Sequence, residues 1–153
     1  MKISVTDIKK LRKKTGAGIA DSRKALEEAK GDFAKAEEFV RSWGAKIADK
    51  KKDRAVGAGL IETYIHSGGK VGAMVEVNCE TDFVARTDEF KTLAHEVAMQ
   101  VAAMDPKDTE ELLVQDYIRD SSKKINDLVG ESIAKVGENI QVKRFMRFEL
   151  GEK

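Results

Sequence analysis

The sequence predicts an α+β protein: a three-helix front module over residues 1–44, a charged helical connector over 45–56, and a core over 57–153 in which helices cover a three-stranded antiparallel sheet. Two changes of period carry this reading. Apolar residues recur at helical spacing through the first 43 positions, residues of period two run on either side of Ser67-Gly68-Gly69, and a helical stripe returns from Phe90 to Met104. The single proline, Pro106, leaves helices elsewhere free to run long.

Val5, Ile8 and Leu11 mark the first helix, with Ser4 or Thr6 as its N-cap. The glycines of Thr15-Gly16-Ala17-Gly18 break it. A second helix is expected to bury Ile19, Ala25, Leu26 and Ala29 and to end at Gly31. Asp32 is placed to cap a third, carrying Phe33, Ala36, Val40 and Trp43. Three helices of about 10 residues give a bundle with a thin core. The run Lys50-Lys51-Lys52 then marks the connector as solvated.

Beyond the connector, Ile61, Thr63 and Ile65 alternate with Glu62 and Tyr64, and Val71, Ala73, Val75 and Val77 alternate with Met74, Glu76 and Asn78. The intervening Ser67-Gly68-Gly69 makes these a hairpin. Phe90, Leu93, Ala94, Val97, Ala98, Val101 and Met104 form one wide apolar stripe on a long helix, which Asp105-Pro106 ends. Residues 109–124 read as a short helix around Leu112 and Leu113 followed by a polar loop. Ile125, Leu128, Val129, Ile133 and Val136 restore a helical stripe as far as Gly137. Ile140, Val142, Met146, Phe148 and Leu150 alternate as the third strand.

Composition excludes several classes. No apolar run approaches the roughly 18 residues of a membrane span. Met1 leads straight into an amphipathic helix, so no targeting peptide is expected. One cysteine, Cys79, makes no internal disulfide, which suits a reducing cytoplasm. The net charge of +1 conceals an asymmetry: residues 1–54 carry 16 Lys+Arg against 9 Asp+Glu, and the remainder 12 against 18. A basic front half fits a nucleic-acid or ribosome-binding surface, an acidic protein surface, or a solvated helix face.

Catalytic chemistry finds little support. Cys79, His66 and His95 are the only nucleophile and base candidates of the usual kind, and they are scattered. Cys79 at the end of an alternating strand reads as a small buried hydrophobe, and His95 beside the apolar stripe as a packed histidine. These three residues do not compose a metal site, and no cofactor is expected. Gly16-Ala17-Gly18 lacks both the preceding strand and the following Gly-Lys-Ser/Thr of a phosphate loop. The stretch from Glu80 to Phe90 stands apart. Thr81 or Asp82 can cap a short helix and Asp88 the longer one, which leaves Phe83 beside a capping carboxylate at the sheet margin. There Phe83 either tucks into the core or projects as an apolar hot spot framed by charge.

Glu76-Val77-Asn78-Cys79-Glu80-Thr81-Asp82-Phe83-Val84-Ala85-Arg86 resembles the signature of the translation elongation factor Ts family. Two further segments are similar to the same family: Leu11-Arg12-Lys13-Lys14-Thr15-Gly16-Ala17-Gly18 with Asp21, Lys24, Ala25 and Leu26, and Ile133-Ala134-Lys135-Val136-Gly137-Glu138-Asn139-Ile140 with Phe148-Glu149. The resemblance implies a guanine-nucleotide exchange factor that releases GDP from elongation factor Tu, without being an enzyme in the usual sense. It implies a front module resembling the ubiquitin-associated (UBA-like) fold, and partners that are GDP-bound and nucleotide-free elongation factor Tu in a bacterial cytoplasm, with neither membrane nor direct nucleic acid. By the same resemblance Asp82-Phe83 would insert near the magnesium and phosphate site, flanked by Thr81 and Val84. Arg12, Ile19 and Ala20 would dock the front module, and Lys51, His66, Val136 and Gly137 match further contact positions. Ile19-Ala20 stands where many members carry two methionines, and an alanine offers less apolar contact. The linker after the long core helix is short, and the core module occurs once where longer members carry it twice. His66 matches a position in the second copy and Phe83 one in the first. A homodimer is therefore expected, its sheet formed by a terminal strand rich in Phe145, Met146 and Phe148.

Overall fold

The computed structural model describes residues 2–152; Met1 and Lys153, the outermost residues of the expected front and core regions, lie outside them. Three helices come first: α1 (Val5–Thr15), α2 (Ile19–Glu28) and α3 (Phe33–Lys51). Ser4 caps α1 through a reciprocal bond with Asp7, and Gly16, in the left-handed region at φ 72°, closes it. Asp32 caps α3 by accepting from the Lys35 amide. Leu11, Ala25, Leu26, Ala29 and Ala36 make a small core, edged by Ile8, Phe33, Phe39, Val40 and Trp43.

Two expectations change here. Ile19, expected among the buried residues of α2, is 63% exposed, at the first helical position beside the Gly18 cap. The third helix does not stop near Trp43. It continues through Gly44 to Lys51, so most of the segment expected as a separate connector is the C-terminal part of α3. Nothing in Gly44-Ala45-Lys46-Ile47-Ala48 opposes helix, since a lone glycine costs only about 1 kcal/mol and Ala and Lys are good formers.

The core follows as β1 (Ala58–Ile65), β2 (Val71–Cys79), α4 (Asp82–Ala85), α5 (Asp88–Met104), α6 (Thr109–Val114), β3 (Asp116–Tyr117), β4 (Asp120–Lys124), α7 (Ile125–Val136) and β5 (Ile140–Glu149). The main sheet is antiparallel with order β1-β2-β5. Its inner face (Ala73, Val75, Val77 and Cys79 on β2, Ile140 and Val142 on β5) packs on Phe90, Leu93, Val97 and Val101 of α5 and on Val129 and Ile133 of α7. The cap of α5 is Thr87, whose hydroxyl accepts from the Phe90 amide, rather than Asp88. The polar loop expected after α6 is instead the small β3–β4 hairpin. The fully buried Gln100 fixes it, its amide donating to the Asp116 carbonyl and accepting from the Ile118 N–H.

The third strand holds a register shift opposite Glu76 and Val77. Val142 pairs with Val77 and Arg144 with Glu76, which leaves Lys143 as an extra residue. Because side chains alternate with period two, that single insertion moves every later residue to the opposite face. Ile140 and Val142 point inward, whereas Met146 and Phe148, of the same parity in sequence, lie outward and exposed. Phe145, grouped in sequence with Met146 and Phe148, packs against the core instead. On β1 the set Ile61, Thr63 and Ile65 also faces out, across from Glu76, Met74 and Gly72. One face of the sheet is therefore covered by helices, and the other presents Ile61, Ile65, Met74, Met146 and Phe148 to solvent.

The front helices and the core are joined by a helix crossing as well as by the chain. Helix α3 packs on α7, where Gly44 faces Ala134 and the Gly130 carbonyl.

Candidate functional site

Strand β2 delivers Cys79 to the inner face, and the chain then turns through Glu80 and Thr81 into the single turn α4. Thr81 caps that turn by accepting from the Val84 amide at 3.3 Å. Within α4 the side chains divide. Val84 and Ala85 are buried and anchor the turn, while Asp82 and Phe83 face solvent. Phe83 is 81% exposed, so of the two readings open for it, projection holds. Val84, expected beside it as a contact, is 4% exposed and serves the turn from within.

The turn is tied from both sides. The Cys79 thiol donates to the Thr81 carbonyl at 3.2 Å. Burial pushes that thiol above its ordinary pKa, and the Glu138 carboxylate adds to the effect, so it remains a donor at neutral pH. From 57 residues away, Glu138 accepts the Thr81 amide at 3.0 Å through Oε1 and the Thr81 hydroxyl at 2.8 Å through Oε2. The Glu80 amide adds a third bond to Oε1 at 3.2 Å. Glu80 in turn accepts the Asn139 amide at 2.8 Å and lies 3.6 Å from the Arg54 guanidinium. Asn139 is 2% exposed, and its side-chain amide donates to the carbonyls of Lys52 and Arg54.

Lys51, at the end of α3, donates to the Gly137 carbonyl at 2.6 Å. Gly137 is the left-handed cap of α7 at φ 76°, and Val136 before it is half-buried. The fold thus gathers Lys51, Thr81, Asp82, Phe83, Val136 and Gly137 at one end of the core. The residues that do the gathering, Glu80, Glu138 and Asn139, carried no expected role. Their signal in sequence is the Gly137-Glu138-Asn139 run, a helix-closing glycine followed by two polar residues able to bond back to the chain.

Other expected site residues lie elsewhere. His66 sits exposed at the tip of the β1–β2 hairpin, its Nδ1 3.1 Å from the Tyr64 hydroxyl. Nine residues of β2 at about 3.3 Å each separate that tip from the Phe83 end by roughly 30 Å. Arg12 of α1 and Ile19 and Ala20 of α2 are exposed on the front helices. Arg12, Lys9, Lys13 and Lys135 border one shallow basic depression. His95, expected to be packed, is exposed and meets the Tyr64 ring in a T-shaped arrangement at 5.7 Å, because it lies just outside the apolar stripe of α5. Cys79 is fully buried, away from both histidines. Among the described residues, no three His, Cys, Asp or Glu side chains group to hold a metal ion, and no helix is long and apolar enough to cross a membrane.

A family model described as elongation factor Ts matches residues 80–153. The elongation factor Ts of Thermotoga neapolitana is 45% identical over 195 aligned positions, covering 99% of this chain and 99% of that protein. That of Thermoanaerobacter pseudethanolicus is 43% identical, covering 98% and 96%. The elongation factor Ts of a Nostoc species is 48% identical over 151 positions, covering 99% of this chain and 48% of its own length. An alignment of 195 positions against a chain of 153 residues leaves at least 42 positions that the Thermotoga protein fills and this chain does not.

Proposed function

The chain belongs to the elongation factor Ts family, and from that premise we propose that it is a guanine-nucleotide exchange factor that speeds GDP release from elongation factor Tu. The observation that carries this reading is Phe83, an aromatic side chain 81% exposed on a turn that is capped, anchored and tethered. A soluble chain gains nothing for its own stability by holding an aromatic ring in water. A rigid ring beside the carboxylate of Asp82 is what a partner's pocket would bind.

The mechanism is one of linkage. A factor that binds the nucleotide-free GTPase more tightly than the GDP form weakens GDP binding by the same ratio. Asp82-Phe83 inserts near the partner's magnesium and phosphate site. Displacing magnesium geometry there lowers the affinity that the ion lends to the phosphates. No covalent bond is made or broken in this chain, so it acts as an exchange catalyst and not as an enzyme in the usual sense.

The remaining surface fits the same reading. The front helices form a UBA-like module, spanning residues 1–44, that rests on the partner through Arg12, Ile19 and Ala20; residues 45–56 connect it to a core of 57–153. Lys51, Val136 and Gly137 border the wedge, and Val84 sets it from below. The uncovered sheet face is the interface of a homodimer, burying Met74, Met146 and Phe148 against a second copy. His66 and Phe83, at opposite ends of one hairpin, then reach one partner from different subunits. The setting is the bacterial cytoplasm, where the translation machinery works.

Release of labelled GDP from elongation factor Tu tests the reading. The chain is expected to accelerate release, and Phe83→Ala to remove most of the acceleration. No acceleration by the unmodified chain refutes the exchange reading, while full acceleration by Phe83→Ala refutes only the wedge.

A further inference from the structure

We infer that Glu138 is the positioning residue for Phe83, an inference that rests on the exchange-factor reading. Helix α4 has four residues, too few to hold a helical turn by its own hydrogen bonds. Its inward anchors, Val84 and Ala85, are small. Beside those anchors and the Cys79 thiol on the Thr81 carbonyl, the turn is held by the Glu138 carboxylate, with bonds to two successive backbone amides, of Glu80 and Thr81, and to the Thr81 hydroxyl.

The hydroxyl makes this more than a tether. A threonine hydroxyl has one proton to donate and lone pairs to accept with. Donation to Glu138 Oε2 turns the lone pairs toward the Val84 amide, which is the cap that starts α4. Glu138 therefore sets both where the turn begins and which way its first side chains face. The hydrogen bonds of the Glu138 carboxylate all go to this segment. Its neighbour Asn139 ties the same loop to the end of α3 through the Lys52 and Arg54 carbonyls. The wedge and the helix leading to the front module are thus referred to one short turn, Gly137-Glu138-Asn139.

Positioning predicts a particular kinetic signature. Docking through the front helices does not involve the turn, whereas insertion of Phe83 does. The rate of labelled GDP release is measured against concentration of the full chain, giving a maximal rate and a half-saturating concentration. Glu138→Ala is expected to lower the maximal rate at least about tenfold, towards the roughly hundredfold that a misplacement of about 1 Å can cost. Half-saturation should stay within about twofold of the unmodified chain. Glu138→Gln is expected to restore only part of the rate, because its carbonyl oxygen still accepts both amides while its NH2 can no longer take the Thr81 hydroxyl proton. In a Phe83→Ala background, Glu138→Ala should add nothing further.

A maximal rate unchanged by Glu138→Ala overturns the inference, as does a full additional loss in the double variant. If Glu138→Ala loses its helical circular dichroism, Thr81→Val carries the test with the same expected fall, and an unchanged rate there overturns the inference equally. Absence of acceleration by the unmodified chain is a different result, which removes the exchange reading itself.

Discussion

The Lys51 ammonium donates a 2.6 Å hydrogen bond to the Gly137 carbonyl, joining residues 86 positions apart at the ends of α3 and α7. The carbonyls that close a helix have no partner within it, and a cation there also meets the negative end of the helix dipole. Gly137 can close α7 because at φ 76° it meets no Cβ penalty. Gly137→Ala is therefore expected to cost about 1–2 kcal/mol. Lys51→Met should cost less, about 0.5–1 kcal/mol, since the helix closes without it. Urea denaturation midpoints of the two variants check that order.

Phe83 and Phe90 lie seven residues apart and differ completely in burial, 81% exposed against 0%. Phe83→Ala should leave unfolding free energy within about 0.5 kcal/mol of the parent. Phe90→Ala opens a cavity between α5 and the sheet and should cost about 3–5 kcal/mol. Paired chemical denaturation distinguishes the two roles. A large loss at Phe83 would mean that its ring is needed by the fold.

Tyr117 donates to Glu96, and its hydroxyl is held far above the ordinary tyrosine range, first by burial and then by that carboxylate. A raised folded value favours the neutral form. The stability it adds is fully present below the ordinary tyrosine pKa of about 10 and is lost as pH rises toward the folded value. In an alkaline absorbance titration, Tyr117 should ionise only as the protein unfolds. Tyr117→Phe should remove that late step.

The outward sheet face makes a prediction about assembly. Met74 and Met146 are directly paired across β2 and β5, and both are exposed. A lysine at either position places a charge in the middle of the apolar face, where a second copy would bury it unpaired. Sedimentation velocity at micromolar concentration should show a dimer for the unmodified chain and a monomer for Met146→Lys, with unchanged circular dichroism. A monomeric parent would remove the dimer.

Most of the architecture was legible in the sequence because period and caps agreed. Asp32, the alternation of β2 and the stripe of α5 each pointed to the element that forms. The third strand was legible as a strand but not in its facing, because alternation counts residues and the unpaired Lys143 adds one that no propensity announces. Helix over the first part of 45–56 was legible, but its continuity with the third helix was not, because a charged, solvated helix end looks like a separate connector when only apolar spacing is followed. At the candidate site, the direction of Phe83 was undecided from its own neighbourhood. It depends on Val84 and Ala85 finding the core and on Glu138, far away in sequence, holding Thr81. Contacts of that separation leave no periodic trace.

The unbroken run of α3 has a geometric consequence. Its 19 residues span roughly 28 Å and belong to the front bundle at one end and to the α7 crossing at the other. Adding one residue between Trp43 and Lys51 would lengthen this shaft by only about 1.5 Å but turn one end against the other by about 100°. Ile19 and Phe83 would then point along different bearings. The helix keeps the two in phase, and phase, more than distance, is what a single-residue insertion would destroy.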